Sequence, residues 1–166
     1  MYDHATSIDA RYHAAHLLRA TRLFLVVGLA AILAGGLLAA VTAHDPVRPL
    51  IWLSAYLVLI VGLAQCVFGV GQTALRARPP GTVLVGSQWL LFNLGNLGVV
   101  IGSLGNYLML LTVGTVLFFA ALALFALSVR QSQYQRLGYA YYAVLAIVAA
   151  GAVIGLGLSA LGNAGQ

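Results

Sequence analysis

The sequence predicts an all-α polytopic membrane protein, a bundle of five transmembrane helices that form a single domain. Composition is the first reason: 62% of the 166 residues are hydrophobic and 7% are charged, whereas soluble domains average roughly 25% charged residues. Long apolar runs separated by short polar loops are the second reason, and arginines concentrated in alternate loops are the third. Together these features exclude a soluble globular domain.

Residues 1–22 form the longest polar stretch, and their pattern is amphipathic. Such a pattern is typical of a helix that lies at the membrane surface with its arginines facing lipid phosphates. We therefore predict a surface segment over 1–22 and a single transmembrane domain over 23–166. An alternative is a signal peptide cleaved after Ala43, since residues 41–43 resemble a cleavage site, but the polar leader is long and the apolar run exceeds the usual length.

Five apolar segments follow, each close to the roughly 20 residues needed to cross a bilayer. Two prolines in the RARPPG loop, Arg76 to Gly81, separate the second segment from the third, because proline cannot continue a helix. The third and fourth segments form one apolar run with a predicted turn at Gly102 to Asn106, where glycine can close one helix and Asn106 can cap the next. The predicted spans are about 23–41, 50–70, 83–102, 107–129 and 137–158.

The arginines predict the orientation of these spans. Cytoplasmic loops collect Lys and Arg, and an N-terminus inside the cell leaves only Arg48 on the outer side. The prediction is a multi-pass protein of the inner cell membrane with a cytoplasmic N-terminus and an outer C-terminus. Scattered arginines do not form one basic patch, so no nucleic-acid partner is predicted. The cytoplasmic arginines would be Arg11, Arg19, Arg22, Arg76, Arg78, Arg130 and Arg136.

Glycines recur at helical spacing in several spans, together with a similar stripe in the first span that includes Gly28 and Gly35. A stripe without side chains lets another helix approach closely, either inside the chain or from another subunit. The predicted helix-packing residues are Gly62, Gly69, Gly95, Gly98, Gly102, Gly105, Gly151 and Gly155.

Four amide side chains lie inside the predicted spans and are the candidate cofactor-binding residues: Gln65, Gln88, Asn93 and Asn96. Gln65 and Gln88 fall at similar depth, roughly 8 Å from the cytoplasmic edge at about 1.5 Å per residue. One interpretation is hydrogen bonding between helices, worth about 0.6 kcal/mol on average, and we favour it. The other is a polar site for a quinone headgroup, a haem edge or a solute.

Other chemistry is sparse. The spans carry no carboxylate or basic side chain, which argues against an ion-coupled transporter. The four histidines lie outside the predicted spans, so a bis-histidine haem in the membrane is not expected. Asp9, His13 and His16 can share a helical face, but solvated side chains are the commoner outcome, and no metal or cofactor is predicted. No catalytic residue is predicted, and an enzyme acting alone is not expected.

Two segments carry a family resemblance: VFGVGQ around Phe68 and QWLLFNLGNLGVVIG from Gln88. They resemble the early helices of haem-copper oxidase subunit I and its small relatives, as do the inner N-terminus and the short first outer loop. In that family a histidine near the outer part of the second helix ligates haem, and Tyr56 stands there in this chain. The resemblance implies a relative without its haem ligand, a structural subunit or a remnant scaffold.

Three functions follow as hypotheses. The first is a non-catalytic structural or accessory subunit, or an assembly factor, of a larger membrane complex, respiratory or otherwise redox, because three small-residue stripes exceed the needs of one bundle. Its partners would be the lipid bilayer and other membrane subunits, or further copies of the chain. The second is a small transporter or channel for a neutral or lipid-like solute, with a water-accessible row at Gln65, Gln72, Gln88, Asn93 and Asn96. The third is a redox protein that binds quinone or haem at the same amides.

Overall fold

A computed structural model describes residues 3–75, 81–130, 132 and 134–164 of the chain, and the side chains of residues 21–75, 81–130, 132 and 134–154. Within these ranges every regular element is helical. Five helices are long and apolar enough to cross a membrane, so the prediction of a helical multi-pass membrane protein is confirmed at that level. The helices are α1 (Asp3–Thr42), α2 (Arg48–Ala74), α3 (Thr82–Leu104), α4 (Leu108–Val129) and α5 (Gln135–Ala164).

Helix α1 runs from Asp3 to Thr42 without a break, so the predicted surface segment continues directly into the first span. The part that has the length and composition of a membrane span is Thr21–Thr42. Placement of residues 1–22 at the membrane surface, like the cytoplasmic N-terminus, stays a prediction. The side chains of Asp9, His13 and His16 lie outside the described residues.

Helix α2 changes its winding along its length. It is an α-helix over Arg48–Tyr56, a π-helix over Leu57–Ala64 and an α-helix again over Gln65–Ala74. π-Helical segments are rare in proteins, and many of those that occur lie at functional sites. Each π turn contains more residues than an α turn, so the segment changes the relative orientation of the side chains that precede and follow it. Tyr56 and Gln65 flank it directly.

The turn between α3 and α4 differs from the prediction in its details. Asn106 does not cap α4; it adopts a left-handed conformation, with φ of 55°, which asparagine tolerates better than most residues. The backbone N–H of Tyr107 donates to the carbonyl of Gly102 at 2.9 Å, the bond that closes a helix C-terminus in a Schellman motif. The tight reversal brings α4 back along α3.

The helices form two closely packed hairpins, α1 with α2 and α3 with α4, and α5 lies against α4 and the π-helical segment. Glycine makes both hairpins possible. A Cβ atom on Gly28 would lie 2.9 Å from the carbonyl oxygen of Gly62, and one on Gly98 would lie 2.8 Å from the Cα of Gly114. Real Cβ contacts are longer, so these backbones can approach only without side chains. In the first hairpin the hydroxyl of Ser54 also donates to the carbonyl of Gly35 at 2.8 Å.

The predicted packing glycines divide into two groups. Gly62, Gly69, Gly95, Gly98 and Gly102 each face the neighbouring helix of their own hairpin. Two others have different surroundings. Gly105 lies in the α3–α4 turn against the ring of Tyr107, because the helix has already ended there, and a Cβ on Gly151 would have no atom of the described residues within 4 Å. The surroundings of residue 155 lie outside the described side chains.

Candidate functional site between the two hairpins

Aromatic rings fill the contact region between the two hairpins, which we call the seam. Phe68 of α2 stands at its centre, with its ring centroid 6.0 Å from that of Phe92, 5.1 Å from Phe125 and 5.8 Å from Tyr141. Phe24 of α1 joins through Phe125, at 5.6 Å. Separations of this size are typical of favourable edge-to-face and offset pairs. This aromatic cluster joins all five helices and comprises Phe24, Phe68, Phe92, Phe118, Phe125 and Tyr141.

Two glutamines flank Phe68 on the same face of α2. Gln65 precedes it by three residues and Gln72 follows it by four, so both share the helix face from which Phe68 enters the seam. Both amides have 0% exposure, and neither their nitrogen nor their oxygen has a hydrogen-bond partner among the described residues. A buried polar group without a partner costs about 1–3 kcal/mol, and buried polar groups in proteins are almost always bonded. The described residues therefore leave the hydrogen-bonding capacity of these two amides unused.

In the side-chain amide of Gln88 on α3, the nitrogen has hydrogen-bond partners and the oxygen has none among the described residues. Its Nε2 donates to the hydroxyl of Ser128 at 2.5 Å and to the carbonyl of Leu124 at 3.0 Å, both on α4. Its Oε1 is buried and has no partner among the side chains described, and the same is true of the indole nitrogen of Trp89. Gln88 thus bonds across helices, but to α4 and not to Gln65 of α2, and its Oε1 has no partner among the described residues.

The depth prediction for these glutamines needs a correction. Gln65 was expected at the depth of Gln88, but the contact between Phe68 and Phe92 fixes a different register between the antiparallel helices. Gln72 lies one turn beyond Phe68, and Gln88 lies one turn before Phe92, so both fall on the same side of the aromatic cluster. Gln65 lies on the other side, towards the end of the bundle where α2 and α4 begin. We call this the outer end, after the predicted orientation.

The two asparagines are already bonded. The hydroxyl of Tyr56 donates to Oδ1 of Asn96 at 2.7 Å, and Nδ2 of Asn96 donates to the carbonyl of Phe92 at 2.7 Å. Asn93 donates to the carbonyl of Trp89 in its own helix, also at 2.7 Å. Asn96 therefore links α2 to α3, as expected of a structural amide. Asn93 binds its own backbone, so the structure does not bring it together with the glutamines.

A cavity of about 170 Å³ lies on the outer side of the aromatic cluster. Phe118 belongs both to the aromatic cluster and to the cavity wall. The wall also includes Tyr56 of α2, Ser103 of α3 and Gly151 of α5. Trp52 stacks on Tyr56 with ring centroids 5.0 Å apart and an interplanar angle of 27°. The sequence analysis did not predict this cavity, because its walls come from four helices whose relative positions sequence spacing leaves open.

Sequence reasoning also missed the aromatic cluster, although a signal was available. Five of the chain's six phenylalanines belong to it. Under the predicted topology Phe24, Phe68 and Phe125 all fall towards the inner ends of their spans, whereas Phe92 lies near the middle of its span. Rings at matching depth on neighbouring spans predict contact, as matching amides do.

The polar side chains buried inside the described part of the bundle are all uncharged: Ser54, Gln65, Gln72, Gln88, Asn96 and Ser128. The fold and the site thus define a five-helix, all-α protein with membrane-length helices and a neutral, partly unsatisfied polar interior. Comparison with protein-family models, with curated proteins and with solved structures gives no match. The resemblance to haem-copper oxidase subunit I accordingly stays a prediction.

Proposed function

We propose that the protein is a small membrane carrier or channel that passes a neutral, hydrogen-bonding solute through the seam. The observation that supports this most directly is the pair Gln65 and Gln72, two fully buried amides without partners on either side of Phe68. An amide offers two donors and an acceptor that takes two bonds. Such a group carries no net charge and can exchange hydrogen bonds with a neutral molecule.

The packing supports movement along the seam. Each hairpin is held together by backbone contact at its glycines, whereas the seam is held by side chains that can change rotamer. Membrane carriers commonly work by rigid-body movement of one helical unit against another around a fixed site. In this proposal the hairpins are the units and the aromatic cluster is the closed constriction. Gln65 receives the solute on the outer side, and Gln72 and Gln88 receive it on the inner side.

The test is flux through vesicles reconstituted with the purified protein. Water and urea are the probes, since both are small, neutral and hydrogen-bonding, and stopped-flow light scattering measures vesicle volume. We expect faster water and urea flux than in protein-free vesicles, and a decrease of several-fold in the Gln65→Leu and Gln72→Leu variants. Asn93→Leu is the matched control, because it removes an amide that bonds its own helix.

Two results would contradict the proposal: flux no faster than in protein-free vesicles, or equal flux in the wild type and both glutamine variants. A second measurement uses Gln65→Cys and Gln72→Cys in a Cys66→Ser background. Aqueous thiol reagents should label both introduced cysteines if water reaches the seam.

The accessory-subunit hypothesis rested in part on small-residue stripes in excess of what one bundle needs. Gly28, Gly62, Gly95 and Gly98 meet backbone or side chains of the same chain, so these stripes require no partner helix. That hypothesis, with its respiratory or other redox complex, stays a prediction. Copurification in mild detergent followed by native mass spectrometry is its test, and a stoichiometric larger partner would favour it over the carrier.

The hypothesis of a quinone- or haem-binding redox protein also stays a prediction. Gln65 and Gln72 are the amides that it would use, since Asn93 and Asn96 are already bonded. An absorbance spectrum and a solvent extract of the purified protein test it directly.

A further inference from the structure

We propose that the cavity at the outer end is a binding site for one neutral molecule with a single aromatic ring and a hydrogen-bond acceptor oxygen. The site lies on the opposite side of the aromatic cluster from Gln72 and Gln88. Its occupancy does not depend on whether a solute passes through the seam.

The size and the walls of the cavity fit one ring. Its volume is about 170 Å³, and an apolar cavity of about 150 Å³ in another protein binds benzene. Ile60, Leu111 and Phe118 give it apolar walls. The stacked rings of Trp52 and Tyr56 add a flat aromatic wall, on which a further ring can stack or pack edge to face.

The hydroxyl groups in the walls define the polar part of the ligand. The Tyr56 hydroxyl donates to Asn96 at 2.7 Å, and the Thr115 hydroxyl donates to the carbonyl of Leu111 at 2.8 Å. Neither hydroxyl proton is therefore available to a ligand. The hydroxyl of Ser103 forms no hydrogen bond with any described residue, so it can donate to a ligand. The acceptor that would use this proton can be a ketone, quinone or ether oxygen, and the uncharged walls favour a neutral molecule.

A larger side chain at position 151 is the substitution chosen to fill the cavity. Gly151 lies in the cavity wall, and no atom of the described residues lies within 4 Å of the position that a Cβ would take. A Cβ at this position therefore meets no described atom, and a leucine there would add its bulk at the cavity wall. Gly36 of α1 is equally open but does not line the cavity, so Gly36→Leu is the matched control.

The experiment titrates purified protein in detergent with acetophenone, an aryl ketone that quenches tryptophan fluorescence. A Trp89→Phe background leaves Trp52 as the only tryptophan, since the chain has two. We expect saturable one-site quenching that is weakened at least tenfold by Gly151→Leu and unchanged by Gly36→Leu. Ser103→Ala should weaken acetophenone binding about fivefold, the effect of one lost hydrogen bond of about 1 kcal/mol.

Ethylbenzene has a similar shape without the oxygen, so it tests binding of the ring separately from the hydrogen bond to Ser103. It should displace acetophenone, with an affinity that Ser103→Ala does not change. Equal losses for both probes in Ser103→Ala would overturn the assignment of the acceptor. Quenching that rises linearly without saturation, and equally in the Gly151 and Gly36 variants, would mean partition into detergent only and would overturn the site.

If Gly151→Leu elutes as an aggregate in gel filtration, Val99→Phe takes its place, because Val99 lines the same cavity from α3. Saturable binding together with absent urea and water flux would uphold this site while contradicting the carrier. Water and urea flux without saturable acetophenone binding would support the carrier and overturn this binding site.

Discussion

The interiors of the hairpins and the seam between them are packed in opposite ways. Inside a hairpin the backbones touch: a Cβ on Gly95 would lie 2.6 Å from the backbone nitrogen of Phe118. In the seam, rings hold the helices apart, with the centroids of Phe68 and Phe125 separated by 5.1 Å. The polar groups also differ, although the bond from Tyr56 to Asn96 does cross between the hairpins. Ser54 is bonded within its hairpin, while the Gln65 and Gln72 amides in the seam have no partner among the described residues.

The comparison separates structural contacts from functional ones. Lipid is as apolar as leucine, so helices in a membrane associate through close packing and hydrogen bonds. The hairpins use both, as the glycine contacts and the bond from Ser54 to Gly35 show. The seam tolerates unsatisfied amides, which a purely structural interface would replace with apolar side chains. Four substitutions test this distinction, from the largest expected effect to the smallest.

Removing the central ring should have the largest effect. Phe68→Ala takes away contacts with rings on α3, α4 and α5, and we expect the free energy of unfolding to fall by about 3 kcal/mol, the lower end for a buried phenylalanine. SDS titration in mixed micelles measures it. Phe119→Ala is the control, since Phe119 is only partly buried and should cost less than half as much. Equal losses would mean that the seam has no special role in holding the hairpins together.

Adding one methyl group inside a hairpin should be the next largest change. Gly95→Ala forces a Cβ against the backbone of Phe118, which cannot move aside as a flexible side chain can, and we expect a loss of about 2 kcal/mol. Gly86→Ala in the same helix meets no atom within 4 Å. That control should gain up to about 1 kcal/mol, because alanine favours helix more than glycine does. A tolerated Gly95→Ala would contradict the account of the hairpin as a rigid unit.

Replacing the unsatisfied amide should increase stability. Gln72→Leu removes a buried polar group without a partner, so the free energy of unfolding should rise by about 1 kcal/mol while water flux falls. Gln88→Leu is the matched contrast, because its amide bonds Ser128 and Leu124 and its loss should lower stability. Thermal unfolding of both variants in one detergent compares the signs. If Gln72→Leu were the less stable of the two, the amide would have a structural role that the seam account omits.

The smallest effect should come from Tyr56→Phe. This variant loses the hydroxyl that donates to Asn96 at 2.7 Å between α2 and α3, and hydrogen bonds between membrane helices are worth about 0.6 kcal/mol on average. Tyr107→Phe changes an exposed tyrosine and should be neutral. Side-by-side SDS titrations of the two variants give the difference. A loss above about 2 kcal/mol would show that this bond, and not the rings, joins the hairpins.

Much of the fold was predictable because a bilayer imposes one length and one composition on each span. The predicted second span, about 50–70, lies inside the observed Arg48–Ala74, and the predicted third, about 83–102, lies inside Thr82–Leu104. The π-helical segment at Leu57–Ala64 was not predictable, since its apolar sequence is equally compatible with an α-helix. Asn106 was correctly placed in a turn, but its left-handed conformation was not anticipated.

The sequence predicted which polar residues the candidate site would contain, but it did not predict how they are arranged. Gln65 and Gln88 were identified because amides are conspicuous in an apolar helix. Their partners were not, because a partner depends on the register between helices, which sequence spacing leaves open. Asn93 illustrates the limit: it has the same chemistry as Asn96, yet it bonds its own helix while Asn96 receives a bond from α2.

The sequence by itself determined the number of membrane-length helices and several of the glycines that allow close approach, because both follow from local composition and spacing. Only the tertiary structure decided that Gly62 faces α1 while Gln65, three residues later, is buried without a partner in the seam. It also decided that Trp52, Tyr56 and Ser103 surround one cavity. Contacts between distant residues depend on how the two hairpins meet, and that meeting is set by six interlocking rings acting together.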